Sequence, residues 1–413
     1  MKRSWRYVLA LMIAFTVSFS TLGAGSDFTL WIFGNANMDE NIDEKDVEYV
    51  ESVINGTSSA TNLSDANYDG KIDEMDIAQI NQIIGGEEQK LTILDDAERI
   101  VTLDMPLEHV VLARMAVDQA LVAMDATDKV VGISSDIKDY HPHIAKPGGW
   151  MDLPNVGYVY TELDYEKIIE LNPGIVFMDA QFVTEVDEKL PDTIPVVALS
   201  TGVPDTKKVI SGFKTLGVMF GKESEAERVI NWIQKYDTII RDRTKDLNPE
   251  EQPTFYIEAN DWVTYNSEQW DGKAAAECGG RNIADGVDLF VPGENGEYTV
   301  SPEWVLEQNP DVIFRRIRAQ TDLVSEEKAK ARLAEFINRT GWDEINAVKN
   351  GHVYLYVAEM NFAPCNIIGR CYFAKFLQPE LFRDINPKEI ADEYWNTFIG
   401  NEYPEMWVYP EPK

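Results

Sequence analysis

Over most of the chain, short continuous apolar runs alternate with amphipathic stretches. Segments such as "YEKIIELNPGIVFMD" and "PEWVLEQNPDVIFRR" place apolar residues first at helical spacing and then in an unbroken run. An unbroken apolar run bounded by turn residues is typical of a buried parallel strand, and alternation with helices is typical of sheets covered by helices. The pattern therefore predicts an α/β fold.

One segment departs from this alternation. Residues 205–246 carry apolar side chains at helical spacing and contain no strand-like run. We predict that the segment forms one long backbone helix joining two Rossmann-like lobes. The N-terminal lobe would span about 95–204 and the C-terminal lobe about 252–413, within a large domain of residues 91–413.

The region before this domain contains a repeated acidic loop. In "DANYDGKIDEMD", oxygen-bearing side chains occupy loop positions 1, 3, 5, 9 and 12 and glycine occupies position 6, before an apolar helical pattern. Such spacing lets a short loop wrap a hard cation. The stretch "NANMDENIDEKD" repeats the pattern 30 residues earlier. The candidate metal ligands of the two copies are Asn35, Asn37, Asp39, Asp43, Asp46, Asp65, Asn67, Asp69, Asp73 and Asp76.

Two loop–helix units that end in Asp rather than Glu resemble a type I dockerin over about residues 31–86. The resemblance implies a small all-α module, assigned to residues 27–88, with two bound Ca²⁺ ions and a cohesin-like partner. In the first loop Asn35 replaces an acid and Glu40 stands where glycine is expected. We therefore expect the first site to bind Ca²⁺ more weakly. Packing of the module on its own large domain remains an alternative to a separate partner.

The N-terminal segment and the net charge of the chain indicate where the protein is located and which partners it can have. Basic residues, the apolar run 7–22 and then small residues predict a secretory signal peptide over 1–25, with an uncleaved anchor as the alternative. No Cys follows that run, so a lipid-anchor motif is missing. A net charge of −34 argues against nucleic acid and anionic membranes as partners. We expect a secreted, extracytoplasmic protein associated with the cell surface.

Cysteine and histidine residues are the candidates for crosslinking and catalysis. The three Cys have no metal-ligand spacing; Cys365 and Cys371 could pair or remain buried thiols. The four His are scattered, and His141 and His143 in "HPH" favour a surface turn. Hydrolase and metalloprotease motifs are missing from the sequence. We expect no enzyme activity, with a cohesin-bound carbohydrate-related or chelatase-like enzyme as the alternative.

The two helix–Asn-Pro–strand phrases, with "CGGRNIAD", "WDEINAVKNGHVY" and "AKFLQPELF", resemble the substrate-binding proteins of iron-complex and vitamin B12 ABC importers. The resemblance covers about residues 98–385. It implies two lobes around a helical backbone and a metal chelate in the cleft, delivered to a permease and its ATPase. A ferric siderophore, haem and a corrinoid all remain open as the solute.

Candidate site residues follow from this resemblance. Ligands of α/β sheets bind beyond the carboxyl ends of the strands, where this chain places Met115, Tyr160, Asp179, Gln181, Trp270, Tyr298, Arg315, Arg316, Met360 and Asn361. Of the two adjacent arginines, we expect one to be structurally paired and at least one to face the cleft. Glu166 and Glu303 hold matching places in the repeated phrases, and the resemblance implies that they dock onto arginines of the membrane subunits.

Overall fold

A computed structural model describes residues 28–141, 144, 149–203, 205–287, 297–317, 325–361, 365–400 and 407–412. The predicted signal peptide and His143 lie outside these residues.

In the N-terminal module each acidic loop leads into a helix. The N-cap residues Asp43 and Asp73 accept hydrogen bonds from the first turn, and the acids three residues later complete capping boxes. The two helices are α1 (Glu44–Ile54) and α2 (Glu74–Gly85).

The module is joined to the large domain by backbone pairing. A hairpin of β1 (Lys90–Leu94) and β2 (Ile100–Asp104) follows α2. The segment before the first loop lies beside β1, because Phe33 N donates to Thr92 O at 2.9 Å and Leu94 N donates to Trp31 O at 2.9 Å. Apolar side chains of the module share one buried cluster with the large domain. The module and the domain are therefore in direct contact.

The first sheet has four parallel strands in the order β4-β3-β7-β8. Its strands are almost wholly buried, in agreement with their unbroken apolar runs. The strands are β3 (Val110–Leu112), β4 (Val130–Ile133), β7 (Ile175–Met178) and β8 (Val196–Ala198), with a small hairpin of β5 (Gly157–Tyr158) and β6 (Glu162–Leu163). The helices are α3 (Asp118–Ala123), α4 (Ser135–Tyr140), α5 (Tyr165–Leu171) and α6 (Ala180–Lys189).

The connection between the sheets is a helical hairpin, so the prediction of one helix over 205–246 is wrong. Helix α7 (Thr206–Phe220) ends at Gly221, whose φ of +60° is the left-handed conformation that glycine adopts readily. Helix α8 (Glu223–Thr244) then turns back. The Arg370 guanidinium bonds both Thr206 and Asp237, so the start of α7 and the middle of α8 lie side by side.

The second sheet has the order β11-β9-β13-β14-β15, and its first four strands are parallel. The strands here are β9 (Thr254–Glu258), β11 (Arg281–Asn282), β13 (Val312–Ile317), β14 (Val353–Val357) and β15 (Val408–Tyr409), with a separate pair of β10 (Val263–Thr264) and β12 (Tyr298–Thr299). The helices are α9 (Trp270–Ala276), α10 (Pro302–Gln308), α11 (Glu326–Ile337), α12 (Asn346–Asn350), α13 (Asn366–Leu377) and α14 (Pro387–Tyr394). The predicted α/β architecture with parallel sheets is confirmed.

The repeated sequence phrase folds the same way twice. Helices α5 and α10 are both seven residues long and both end at an Asn in the left-handed region, Asn172 at φ +46° and Asn309 at φ +47°. The following proline prevents the helix from continuing. Each phrase then enters a central strand, so Glu166 and Glu303 are structurally equivalent.

The structure also defines the state of the cysteines and the length of the helices. Cys278, Cys365 and Cys371 are buried free thiols, so Cys365 and Cys371 do not pair. Burial raises the pKa of Cys278 to about 12, which keeps the thiol protonated. Among the described helices, none has both the length and the apolar character needed to cross a membrane.

Candidate functional site

Charged side chains converge at the carboxyl edge of the first sheet. Arg114 follows β3, Asp136 follows β4 and Asp179 follows β7. The Arg114 Nε atom lies 2.7 Å from Asp179 Oδ2, and its Nη1 pairs with Asp136. Burial raises the pKa of Asp179, and the Arg114 charge opposes that rise. Sequence reasoning missed Arg114 and Asp136, although they lie two and three residues after the ends of β3 and β4.

An aromatic group lies against this charged cluster. The Arg114 guanidinium carbon is 5.5 Å from the ring centroid of Tyr160, and Phe182 packs edge-on against the same ring at 4.9 Å. Gln181 Nε2 donates to the Tyr160 hydroxyl at 3.1 Å. Tyr160 is 55% exposed, so its ring is available to a solute. Met115 instead packs, half-buried, against the core.

The two adjacent arginines of β13 have different surroundings, since successive strand residues point to opposite faces. Arg315 is buried, with its guanidinium 2.7 Å from both Glu258 Oε1 and Asp261 Oδ1. Arg339 bonds the same two carboxylates. Arg315 is therefore the structurally paired residue and is not available to a ligand.

Arg316 retains hydrogen-bonding capacity. Its side chain is 19% exposed, and its Nη1 is 3.7 Å from Asp271 Oδ2. Its hydrogen bonds to Ala259 O and to the Tyr265 hydroxyl are both long, at 3.3 Å. A guanidinium has five N–H donors, so the contacts of Arg316 with the described residues leave donors available at the edge of the second sheet.

Asp271, which sequence reasoning missed, positions Arg316. Its carboxylate is 3% exposed and accepts from the Tyr356 hydroxyl at 2.5 Å and from Asn361 Nδ2 at 3.0 Å. Asn361 thus holds Asp271 rather than facing a ligand. Met360 is fully buried in the core. The expectation that Met360 lines the cleft is wrong.

Two predicted aromatics lie near the start of α9. Trp270 is 38% exposed and has a φ of +39°. The Tyr298 hydroxyl accepts from Asn266 Nδ2 at 3.1 Å. A Cβ on Gly272 would lie 2.1 Å from Asn266 O, so this loop closely approaches the helix start. His141, predicted in a surface turn, is instead buried with Nδ1 2.5 Å from Asp118 Oδ2.

Glu166 and Glu303 are exposed at the second position of their helices. Each follows an N-cap whose side chain accepts a backbone hydrogen bond, from Lys167 N in one and Trp304 N in the other. Acids are favoured there by the helix dipole, and both side chains remain open to a partner.

The acidic loops fold with matching internal hydrogen bonds. Asp46 and Asp76 each accept two backbone N–H bonds from their own loop, at 2.8–3.2 Å. Burial raises the pKa of Asp46 to about 6, while the N–H bonds oppose the rise. Asn35 is fully buried, and its Oδ1 has no hydrogen-bond partner. Within the described ranges, there is no group of three or more His, Cys, Asp or Glu side chains that could hold a metal ion. The Ca²⁺ sites therefore remain a prediction.

The chain belongs to the periplasmic binding protein family, whose sequence profile matches residues 110–359. It is 24% identical to the molybdate-binding protein MolA of Haemophilus influenzae, over 75% of this chain and 91% of MolA. It is 23% identical to the Fe(3+)-citrate-binding protein YfmC of Bacillus subtilis, over 65% of this chain and 79% of YfmC. The TroA-like FepB of Veillonella parvula has the same fold, with a TM-score of 0.66 at 22% identity over 77% of this chain and 98% of FepB.

These relatives define the class. MolA is described as the cognate molybdate-binding protein of an ABC transporter, and YvrC of Bacillus subtilis as an ABC transporter substrate-binding lipoprotein. The chain is a substrate-binding component of an ABC transporter, and the enzyme alternative is excluded.

Proposed function

We propose that this protein captures a metal-containing, partly anionic solute outside the cytoplasmic membrane and delivers it to an ABC permease. The observation that carries the proposal is a pair of groups at the carboxyl edges of the sheets. One is Arg316, whose described contacts leave hydrogen-bond donors available, and the other is the exposed ring of Tyr160, which lies beside the carboxylate-paired Arg114. Arg114 lies against the exposed ring of Tyr160, and Arg316 lies against the buried ring of Tyr265. Guanidinium forks bind carboxylate and related oxygens well, and aromatic faces add flat apolar contact.

The relatives support the same chemistry. One is named for molybdate and another for Fe(3+)-citrate, both anions that contain a metal. We favour a ferric chelate for this chain because exposed aromatic surface at Tyr160 and Trp270 suits a ligand larger than a tetrahedral oxyanion. A siderophore, citrate, haem or corrinoid would each present such a surface.

The direct test is to analyse what is bound to the protein when it is purified from its native host under gentle conditions. Native mass spectrometry and metal analysis should find one metal-containing small molecule per chain, and the absorption spectrum should carry its chelate band. A protein that is always recovered with a sugar or an amino acid, and without metal, would overturn the proposal.

Glu166 and Glu303 are the proposed permease contacts. Their support is the structural equivalence of α5 and α10 and the exposure of both carboxylates. Two like acids presented by the two halves of the molecule suit a membrane partner built from two subunits. The short capped helices keep each acid in a fixed position, so docking would require little reorganisation.

The N-terminal module is proposed to bind Ca²⁺ through its loops. The ligand types fit, since both loops supply carboxylate and amide oxygens, and Asn35 Oδ1 is buried without a partner. Bound Ca²⁺ would neutralise acids that otherwise repel one another. Calorimetry with the full chain, with and without chelator, tests uptake. A cohesin-like partner is proposed for the module face that does not contact the large domain, and a chelator-sensitive pull-down tests it.

A further inference from the structure

The cluster around Arg114 contains more negative than positive charge. A single guanidinium there contacts two carboxylates, Asp136 through Nη1 and Asp179 through Nε at 2.7 Å. A carboxylate that is removed from water needs a counter-charge, and two carboxylates that lie close together repel each other. Asp136 and Asp179 therefore compete for the one positive charge of Arg114.

The two acids are held with different strength. The Asp136 side chain is fully buried and also accepts hydrogen bonds from Ser134 Oγ and Ile137 N. The Asp179 side chain is 21% exposed, and among the described residues Arg114 Nε is the donor recorded for it. Burial raises the pKa of Asp179, the Arg114 charge opposes the rise, and the Asp136 charge adds to it. Asp136 is thus the fixed partner of Arg114, and Asp179 is the weakly held one.

Asp179 has a second position available without a change of the backbone. It is the N-cap residue of α6, and its φ of −72° and ψ of 146° are the extended values typical of an N-cap. An N-cap aspartate usually accepts from the backbone N–H groups of the first turn, but here the side chain points to Arg114 and makes no such bond. Among the described residues, no acceptor is recorded for Gln181 N. A rotation of the side chain would therefore move the carboxylate from Arg114 to the start of α6.

We propose that Asp179 holds the place of an anionic group of the solute. When the solute enters, one of its carboxylate or related oxyanion groups replaces Asp179 at Arg114 Nε, and Asp179 turns to cap α6. One oxyanion replaces another at the guanidinium, and the released carboxylate gains N–H donors at the positive end of a helix dipole. This inference rests on the proposed function, because it requires a partly anionic solute.

The exchange makes Asp179 a specificity-determining residue. A solute has to offer oxygens that bind the guanidinium better than the Asp179 carboxylate does, and a bidentate oxyanion meets that condition. A sugar or another neutral solute gains nothing from Arg114, because it does not displace a carboxylate from a guanidinium. In the empty protein Asp179 keeps the guanidinium paired and oriented, so little reorganisation is needed when the solute arrives.

The test is a calorimetric titration of the full chain, Asp179→Asn and Glu185→Gln, each with ferric citrate and with molybdate. Glu185 is an exposed acid of the same helix, with Oε1 2.6 Å from Lys189 Nζ, so both variants remove one negative charge from α6. Asp179→Asn should bind at least one of the two anions roughly 10-fold more tightly than the wild type, which is the size of one charge-assisted hydrogen bond. Glu185→Gln should bind like the wild type.

Three results of this titration would overturn the proposal: equal affinities in all three proteins, weaker binding by Asp179→Asn, or no binding of either anion by Asp179→Asn. Equal affinities at one equivalent of ferric citrate per chain would remove the exchange and leave the proposed function in place. A native solute that contains no metal would instead remove the proposed function itself.

Melting without solute shows whether Asp179 is needed for folding. Near neutral pH, Asp179→Asn should melt at or above the wild-type temperature, because the raised pKa of Asp179 means that the folded state disfavours its charge. Asp136→Asn should melt clearly lower, because it breaks the buried pair with Arg114 and the bond from Ser134. A loss in Asp179→Asn as large as that in Asp136→Asn would identify Asp179 as a structural partner and would contradict the exchange.

Discussion

Replacing each of the two adjacent arginines of β13 by alanine should separate folding from solute binding. Arg315 pairs with Glu258, which is fully buried, and with Asp261, whose side chain is 70% exposed. Breaking a buried pair costs about 3–5 kcal/mol, whereas an exposed pair contributes about 0–1 kcal/mol. Glu258 keeps Arg339 Nη1 at 2.8 Å. We therefore expect Arg315→Ala to lose about 3 kcal/mol of unfolding free energy, the lower end of the range.

Arg316→Ala should act on affinity instead. Its own contacts are long, and Asp271 retains two other donors when the guanidinium is removed, so the stability loss should be clearly smaller. A charge-assisted hydrogen bond to a solute contributes about 1.5–3 kcal/mol, which corresponds to roughly 10- to 150-fold in affinity. Arg316→Lys should recover only part of it, since lysine lacks the planar fork.

Urea unfolding followed by circular dichroism measures the first effect, and a solute titration measures the second. Arg332→Ala serves as the control, because among the described residues Arg332 pairs with the exposed Glu335, and its loss should change neither quantity measurably. The reasoning is refuted if Arg315→Ala weakens binding at unchanged stability, or if Arg316→Ala unfolds the protein and leaves affinity intact.

Further substitutions test the acidic loops, the proposed docking acids and Asp271. In calorimetry of the full chain, Asp76→Ala should abolish Ca²⁺ uptake by the second loop, because it removes a carboxylate that also accepts two backbone N–H bonds. Asn35→Ala should reduce Ca²⁺ uptake less, and a larger effect of Asn35→Ala would contradict this. Charge reversal at Glu166 or Glu303 should abolish solute uptake by cells while leaving the affinity of the purified protein unchanged; normal uptake by both variants would exclude the docking role. Asp271→Asn should lower solute affinity about as much as Arg316→Ala, because the guanidinium loses its orienting charge, and unchanged affinity would remove Asp271 from the site.

Local sequence signals predicted the parts of the fold that depend on local chemistry. The Asn-Pro phrases specify a helix end at Asn172 and Asn309 because a left-handed Asn followed by proline stops a helix wherever it occurs. The break at Gly221 was missed because apolar residues keep their helical spacing on both sides of it. Gly221 itself indicates a possible helix end, but the prediction relied on the helical spacing of the apolar residues.

Site residues that lie at strand ends could be predicted from the sequence. Site residues that are positioned by partners far away in the sequence could not. Tyr160, Asp179 and Gln181 meet because each lies near the carboxyl edge of the first sheet. Asp271 gains its role from Tyr356 and Asn361, which are 85 and 90 residues away in sequence. No local pattern distinguishes such an acid from an ordinary one at a helix start. Assigning Arg315 and Arg316 to opposite roles likewise required knowing what lies on each face of β13.

The most direct measurement of the central claim is a solute panel read by tryptophan fluorescence, with Trp270→Phe as the matched variant. The wild-type chain should bind one of ferric citrate, a ferric siderophore, haem, cobalamin or molybdate at one equivalent per chain, and Trp270→Phe should report a smaller signal change for it. Failure of all five solutes, together with saturable binding of a sugar, an amino acid or a bare transition-metal ion, would contradict the account.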